Sequence, residues 1–88
     1  MRKIYVIEEY SRSVRPDGVY YNRLGASANL FFANVEDALS VAYNKANADG
    51  LLEYDANEDG VIRAFRDEWP YDDVTIYNYI KVYECNIH

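Results

Sequence analysis

The densest run of chemistry-bearing side chains is Asp55-Ala56-Asn57-Glu58-Asp59-Gly60-Val61-Ile62. Oxygen ligands at alternate positions, here Asp55, Asn57 and Asp59, can wrap a hard cation such as calcium. Gly60 would make the sharp turn and Ile62 would take the apolar position behind it. The pattern breaks at its twelfth position, where a carboxylate should close the shell and Arg66 stands instead. Acidic hairpin turns use the same residue types with no metal at all. The expectation is therefore no metal and no cofactor, with calcium on Asp55, Asn57 and Asp59 as a secondary reading.

Catalytic groupings are thin. Cys85 and His88 are the only cysteine and histidine. A nucleophile pair needs its base held within reach and oriented by a third group, which a histidine in the last position does poorly. One cysteine and one histidine make no zinc set. The neighbours Glu8-Glu9 and Asp72-Asp73 would point to opposite faces of a strand and form no acid–base dyad. Gly25-Ala26-Ser27 lacks the second glycine and the lysine of a phosphate loop. The chain is expected not to be an enzyme and to have no catalytic residues.

What remains is binding chemistry. Of 88 residues ten are tyrosine, and the formal charge is −6. That charge argues against direct binding of nucleic acid by phosphate neutralisation. It is also uneven. Residues 1–30 carry Arg2, Lys3, Arg12, Arg15 and Arg23 against Glu8, Glu9 and Asp17, whereas residues 49–73 hold nine acids against Arg63 and Arg66. An acidic surface of this kind can imitate spaced phosphates and dock on a basic protein. Ten tyrosines exceed what one small core can hold, so several must be exposed, where they give contact area at low entropic cost. The candidate partner-binding residues are Asp49, Glu53, Asp55, Glu58, Asp59, Asp67, Glu68, Tyr71, Asp72, Asp73, Tyr77 and Tyr79. Arg12, Arg15 and Arg23 read as a solvated loop, as partners for the acids, or as a thin anion site.

The elements that must position these groups follow from pattern. Lys3 to about Tyr10 reads as a strand, Arg15-Pro16-Asp17-Gly18 as a turn, Val19 to Tyr21 as a short return strand and Leu24 to Asn29 as a loop. The clearest helix is 34–49. Asn34 is its N-cap, Val35, Ala38, Leu39, Ala42 and Ala46 form its apolar stripe, and Gly50 ends it. Leu51 to Asp55 and Val61 to Phe65 flank the acidic hairpin. Trp69-Pro70-Tyr71-Asp72-Asp73 reads as a turn. In Val74 to Tyr83, Val74, Ile76, Ile80 and Val82 take one face and Thr75, Tyr77, Tyr79, Lys81 and Tyr83 the other. The expected fold is a single α+β domain over 1–88, one helix packed on a mainly antiparallel sheet of three to five strands in the order β-(β)-α-β-β-β, with the terminal strands as neighbours.

Two resemblances bear on function. The Asp55–Ile62 octet resembles the first eight positions of an EF-hand or dockerin calcium loop. The opening Lys-Ile-Tyr-Val-Ile-Glu-Glu-Tyr strand, the Phe31-Phe32-Ala33-Asn34-Val35-Glu36-Asp37-Ala38-Leu39 entry to one helix, and the acidic hairpin before an aromatic final strand together resemble small phage and mobile-element proteins of the anti-CRISPR and anti-restriction kind. That resemblance implies a stoichiometric inhibitor of a host defence nuclease complex. The expected function is a non-enzymatic protein-binding module that docks an acidic, tyrosine-rich surface on a basic nucleic-acid-binding protein. The alternatives are a structural domain dimerising through its C-terminal aromatic strand and a weak calcium-binding domain. No apolar run reaches a membrane span. With no targeting segment and one free thiol, the expected setting is cytoplasmic.

Overall fold

The computed structural model describes residues 2–23 and 29–87. The elements are β1 (Arg2–Arg15), β2 (Gly18–Arg23), β3 (Asn29–Phe32), α1 (Val35–Asp49), β4 (Leu52–Tyr54), β5 (Val61–Tyr71) and β6 (Val74–Ile87). They build one antiparallel sheet in the order β2-β1-β6-β5-β4, with β3 also on β1. The α+β class and the pairing of the terminal strands agree with expectation. The strand count does not, since the sheet has six strands. The additional strand is β3, whose Leu30 lies opposite Ile7 and whose Phe32 lies opposite Tyr5. Its apolar doublet directly precedes a helix cap, so it reads as a helix entrance when only local pattern is available. Of the loop expected over Leu24 to Asn29, residues 24–28 lie outside the described residues, and Asn29 opens β3.

The helix forms where its caps place it. Asn34 accepts the amide of Glu36 at 2.8 Å, and Glu36 and Asp37 sit in the first turn, where the helix dipole favours negative charge. At the other end Gly50 adopts φ 74°, and the Leu51 amide donates to the Ala46 carbonyl at 2.8 Å. This left-handed closure suits a residue without Cβ. Ala38, Ala42 and Ala46 are completely or almost completely buried against Ile7, Phe65, Ile80 and Val82. One methyl per turn lets the helix backbone lie close on the sheet, so the core is thin but densely filled.

The strands outrun the helix. The fourteen residues of β6 reach about 46 Å at 3.3 Å per residue, while a fifteen-residue helix covers about 22 Å. The molecule measures 47 × 26 × 26 Å accordingly. Among the described residues, no helix lies over the ribbon of β2, the second half of β1, the first half of β6 and the second half of β5. This corrects the expected turn at Trp69-Pro70-Tyr71, which belongs to β5; the turn is Asp72-Asp73 alone. Proline is tolerated at position 70 because β4 accompanies β5 only opposite Ala64 to Arg66, which leaves Pro70 on an edge.

Register assigns the faces. The helix side carries Ile7, Glu9, Ser11 and Ser13 of β1, Phe65, Asp67 and Trp69 of β5, and Asn78, Ile80 and Val82 of β6. The open side carries Glu8, Tyr10 and Arg12 of β1, Ala64, Arg66 and Glu68 of β5, and Tyr77, Tyr79, Lys81 and Tyr83 of β6. β6 is bonded on both sides, to β1 and β5. Between Val74 and Tyr83 its backbone is bonded on both sides, whereas Cys85 to Ile87 pair with β1 alone and leave a short free edge beside the side-chain face. Among the described residues no helix is long and apolar enough to cross a membrane.

Candidate functional site

The twelve partner-binding candidates do not form one patch. The eleven residues of β5 separate its two ends by about 35 Å. Glu53, Asp55, Glu58 and Asp59 lie at one end of β5, and Tyr71, Asp72 and Asp73 at the other. Tyr77 and Tyr79 stand on the open face, while Asp67 stands on the helix face and Glu68 on the open one. A run of acids that looks continuous in sequence is thus divided by strand length and by strand alternation.

At the near end the acids are largely engaged within the chain. Asp55 accepts the Asn57 amide at 3.0 Å, closing a turn in which Asn57 takes φ 51°. Glu53 pairs with Arg63 at 3.2 Å and accepts the Tyr43 hydroxyl at 3.4 Å. Glu58 accepts Lys81 Nζ at 2.8 Å. The loop borders an open cavity of about 520 Å³. Among the described residues no group of three or more histidine, cysteine, aspartate or glutamate side chains is placed to hold a metal ion.

The far end is different. Trp69 and Tyr71 are about half exposed, at 51% and 57%. Trp69 Nε1 donates to Asp67 Oδ2 at 2.7 Å, and Asp67 Oδ1 accepts the Asn78 side-chain amide at 2.9 Å and its backbone amide at 3.3 Å. Asp67 therefore serves as the pin that fixes the indole. Beside it runs a groove of about 360 Å³ lined by Glu9, Asp49, Leu51, Asp67, Trp69 and Asn78. Asp49 is the last helical residue and the last turn has no basic residue, so the negative helix end adds to the carboxylates. Glu9 is partly neutralised by Lys45 at 3.6 Å. An aromatic ring and acids around a groove can hold an arginine or lysine side chain by ion pairing and stacking. Trp69 and Glu9 were not among the candidates. The expected turn hid Trp69, and Glu9 lies far from the acidic segment in sequence.

The open face also departs from expectation. Instead of an exposed tyrosine row it holds a mixed cluster. Tyr79 and Lys81 are buried, at 5% and 4% exposure. Tyr10 stacks on Tyr79 with ring centroids 4.7 Å apart. Arg12 lies over Tyr77 at 4.7 Å, Arg66 over Tyr54 at 4.6 Å, and Lys81 over Tyr10 at 5.2 Å. Tyr77 and Tyr79 are thereby platforms for cations rather than parts of an acidic surface. Burial lifts the Tyr10, Tyr54 and Tyr83 hydroxyls above the ordinary tyrosine range. The missed residues here are Tyr10, Tyr54, Arg66 and Lys81, while Arg12, read as part of a solvated loop or a thin anion site, lies in β1 over Tyr77. The signal that could have found them is the shared parity of Arg12 and Tyr10 with Tyr77, Tyr79 and Lys81 once β1 and β6 are set side by side.

Cys85 is exposed, and His88 lies outside the described residues. Glu8 and Glu9 point to opposite faces. Compared with family models, curated proteins and solved structures, the chain matches none.

Proposed function

We propose that the chain is a non-enzymatic protein-binding module whose partner is a basic, nucleic-acid-binding protein, as in an inhibitor of a host defence nuclease complex from a phage or mobile element. The observation that supports this reading is Trp69, half in water beside Asp67 and Asp49, with Tyr71, Asp72 and Asp73 continuing along the same end of the molecule. Large exposed aromatics ringed by charge are the usual composition of an interface hot spot. The acids fit a positively charged surface and would speed encounter with it. Asp49, Asp67, Tyr71, Asp72 and Asp73 belong to this end. Glu53, Asp55, Glu58 and Asp59 contribute only to the long-range field.

The test is capture of a partner from a host lysate on the immobilised chain, followed by competition. A captured nucleic-acid-binding protein released by added duplex DNA and by rising salt, and lost with Trp69→Ala, supports the reading. Capture indifferent to salt and DNA, or unchanged by Trp69→Ala and by Asp72→Asn/Asp73→Asn together, sinks it, because screening must weaken complementary charge.

A further inference from the structure

The open face of the sheet carries a second site of opposite character. A groove of about 260 Å³ is lined by Tyr10, Arg12, Tyr21, Tyr54, Glu58, Arg66, Tyr79 and Lys81. Three cations and one carboxylate line it, which leaves two positive charges in a chain whose total is −6. The carboxylate, Glu58, is taken by Lys81. Among the described residues the ion pairs are those of Lys3, Lys45, Arg63 and Lys81, so neither arginine of the groove is matched by an acid. Instead each guanidinium lies over a tyrosine ring, Arg12 over Tyr77 and Arg66 over Tyr54. Cation–π stacking fixes the guanidinium plane but uses none of its N–H donors. The Nε of Arg12 is buried and makes no hydrogen bond among the described residues. Such a buried donor is rare, and because it is closed to solvent the groove offers a ligand the terminal nitrogens of Arg12 and not Nε.

Arg12 also shares a hydrogen bond with the Tyr21 hydroxyl, so Arg66 presents the freer fork, and guanidinium forks match the oxygens of a phosphate in shape and charge. Beside them Tyr21 keeps 65% of its surface in water, its ring centroid 6.3 Å from that of Tyr10. An exposed ring at the rim of an arginine groove is a platform on which a base can stack. At about 260 Å³ the groove is smaller than the roughly 300 Å³ at which pockets enclosing drug-sized ligands begin, so it would hold the phosphate end of one nucleotide and leave the base on the rim at Tyr21. Glu8, which lines an adjoining groove with Tyr10 and Tyr21, and Glu68, beside Arg66 on the same face, would repel a strand continued in either direction. We propose that this groove binds one nucleoside phosphate, with the phosphate on Arg12 and Arg66 and the base stacked on Tyr21. The site lies on the face of the sheet opposite the acidic groove and stands or falls apart from the partner-binding reading.

The experiment is calorimetric titration of the whole chain with 5′-AMP, adenosine, inorganic phosphate, hexaglutamate and hexadeoxyadenylate. Saturable binding of 5′-AMP is expected, with adenosine and phosphate each weaker by about tenfold or more, since each lacks half of the contacts. Arg66→Gln and Tyr21→Ala, both at exposed positions, should each weaken 5′-AMP by about tenfold at an unchanged melting temperature. Absence of saturable 5′-AMP binding, or wild-type binding by both variants, overturns the proposal. So does hexaglutamate binding as well as 5′-AMP, which would make the groove a docking place for acidic peptide. Hexadeoxyadenylate binding more than about tenfold tighter than 5′-AMP overturns the single-nucleotide assignment in favour of single-stranded nucleic acid.

Discussion

Lys81 Nζ donates to Glu58 Oε1 at 2.8 Å across 23 residues of chain, and this contact fastens the β4–β5 loop over the aromatic face of β6. The two partners are unequal. The lysine side chain is 5% exposed and the glutamate 48%. Lys81 also lies over the Tyr10 and Tyr79 rings, so its charge is held by one carboxylate and two π faces.

From this asymmetry, removing the acid should hurt more than removing both charges. Glu58→Gln leaves a buried ammonium with only aromatic compensation and is expected to cost about 1–2 kcal/mol, tempered by the exposure of the carboxylate. Lys81→Met combined with Glu58→Gln places an apolar chain of similar length among rings and should recover most of that loss. Denaturant midpoints of the three proteins decide it. A double variant less stable than Glu58→Gln alone would show that the ion pair contributes net stability.

The same face predicts a loss of stability at alkaline pH. Tyr10, Tyr54 and Tyr83 are held above the ordinary tyrosine pKa of about 10, first of all by burial. Burial pulls Lys81 downward, but hydrogen bonds to Glu58 and Tyr10 outweigh it, and its pKa is raised as well. Each of these groups holds its proton more tightly folded than unfolded. Their contribution is complete below about pH 10 and is lost as the pH climbs through the folded values. Unfolding free energies measured from pH 8 to 11.5 should therefore fall at the upper end, and Tyr54→Phe should flatten the fall. A profile that is level or rising above pH 10 would refute the assignment.

Much of the fold was legible because its signals are local. The Asn34 cap, the Ala38, Ala42 and Ala46 stripe and the Gly50 closure each sit within one turn of what they control. The alternation of β6 likewise separated Ile80 and Val82 from Tyr79 and Lys81. What escaped depends on partners distant in sequence. Leu30 and Phe32 become a strand only because Tyr5 and Ile7 lie alongside. Pro70 argues for a turn until β4 is seen to end before reaching it. The acidic segment read as one surface because sequence distance hides the length of β5. Arg66 read as a failed calcium ligand, and its role over Tyr54 exists only across the β4–β5 pair.

The alanine stripe makes a prediction about helix–sheet spacing. Ala42 has no exposed surface and lies in the core with Ile7, Phe65, Ile80 and Val82. A larger side chain there must lift the helix or displace those neighbours. Ala42→Leu should cost about 1–3 kcal/mol despite its gain in apolar area, whereas Ala48→Leu, at an exposed helical position, should stay within about 0.5 kcal/mol of wild type. Thermal melts of the two variants test this. A stabilised Ala42→Leu would mean that the layers are less closely packed than the alanines indicate.

The pin between Asp67 and Trp69 can be followed directly, because Trp69 is the only tryptophan. The carboxylate receives the indole N–H on one oxygen and two N–H groups of Asn78 on the other, so it joins β5 to β6 just where the helix stops covering the sheet. Asp67→Ala removes all three acceptances. It should cost about 1–2 kcal/mol and lower the fluorescence anisotropy of Trp69 as the ring loses its anchor. Trp69→Phe removes only the indole bond, keeps Asn78 satisfied and should cost less. If Asp67→Ala leaves both midpoint and anisotropy unchanged, the carboxylate does not hold the ring. A partner that needs a fixed indole would then have to order it on binding, at a cost of about 0.5–1.5 kcal/mol in affinity.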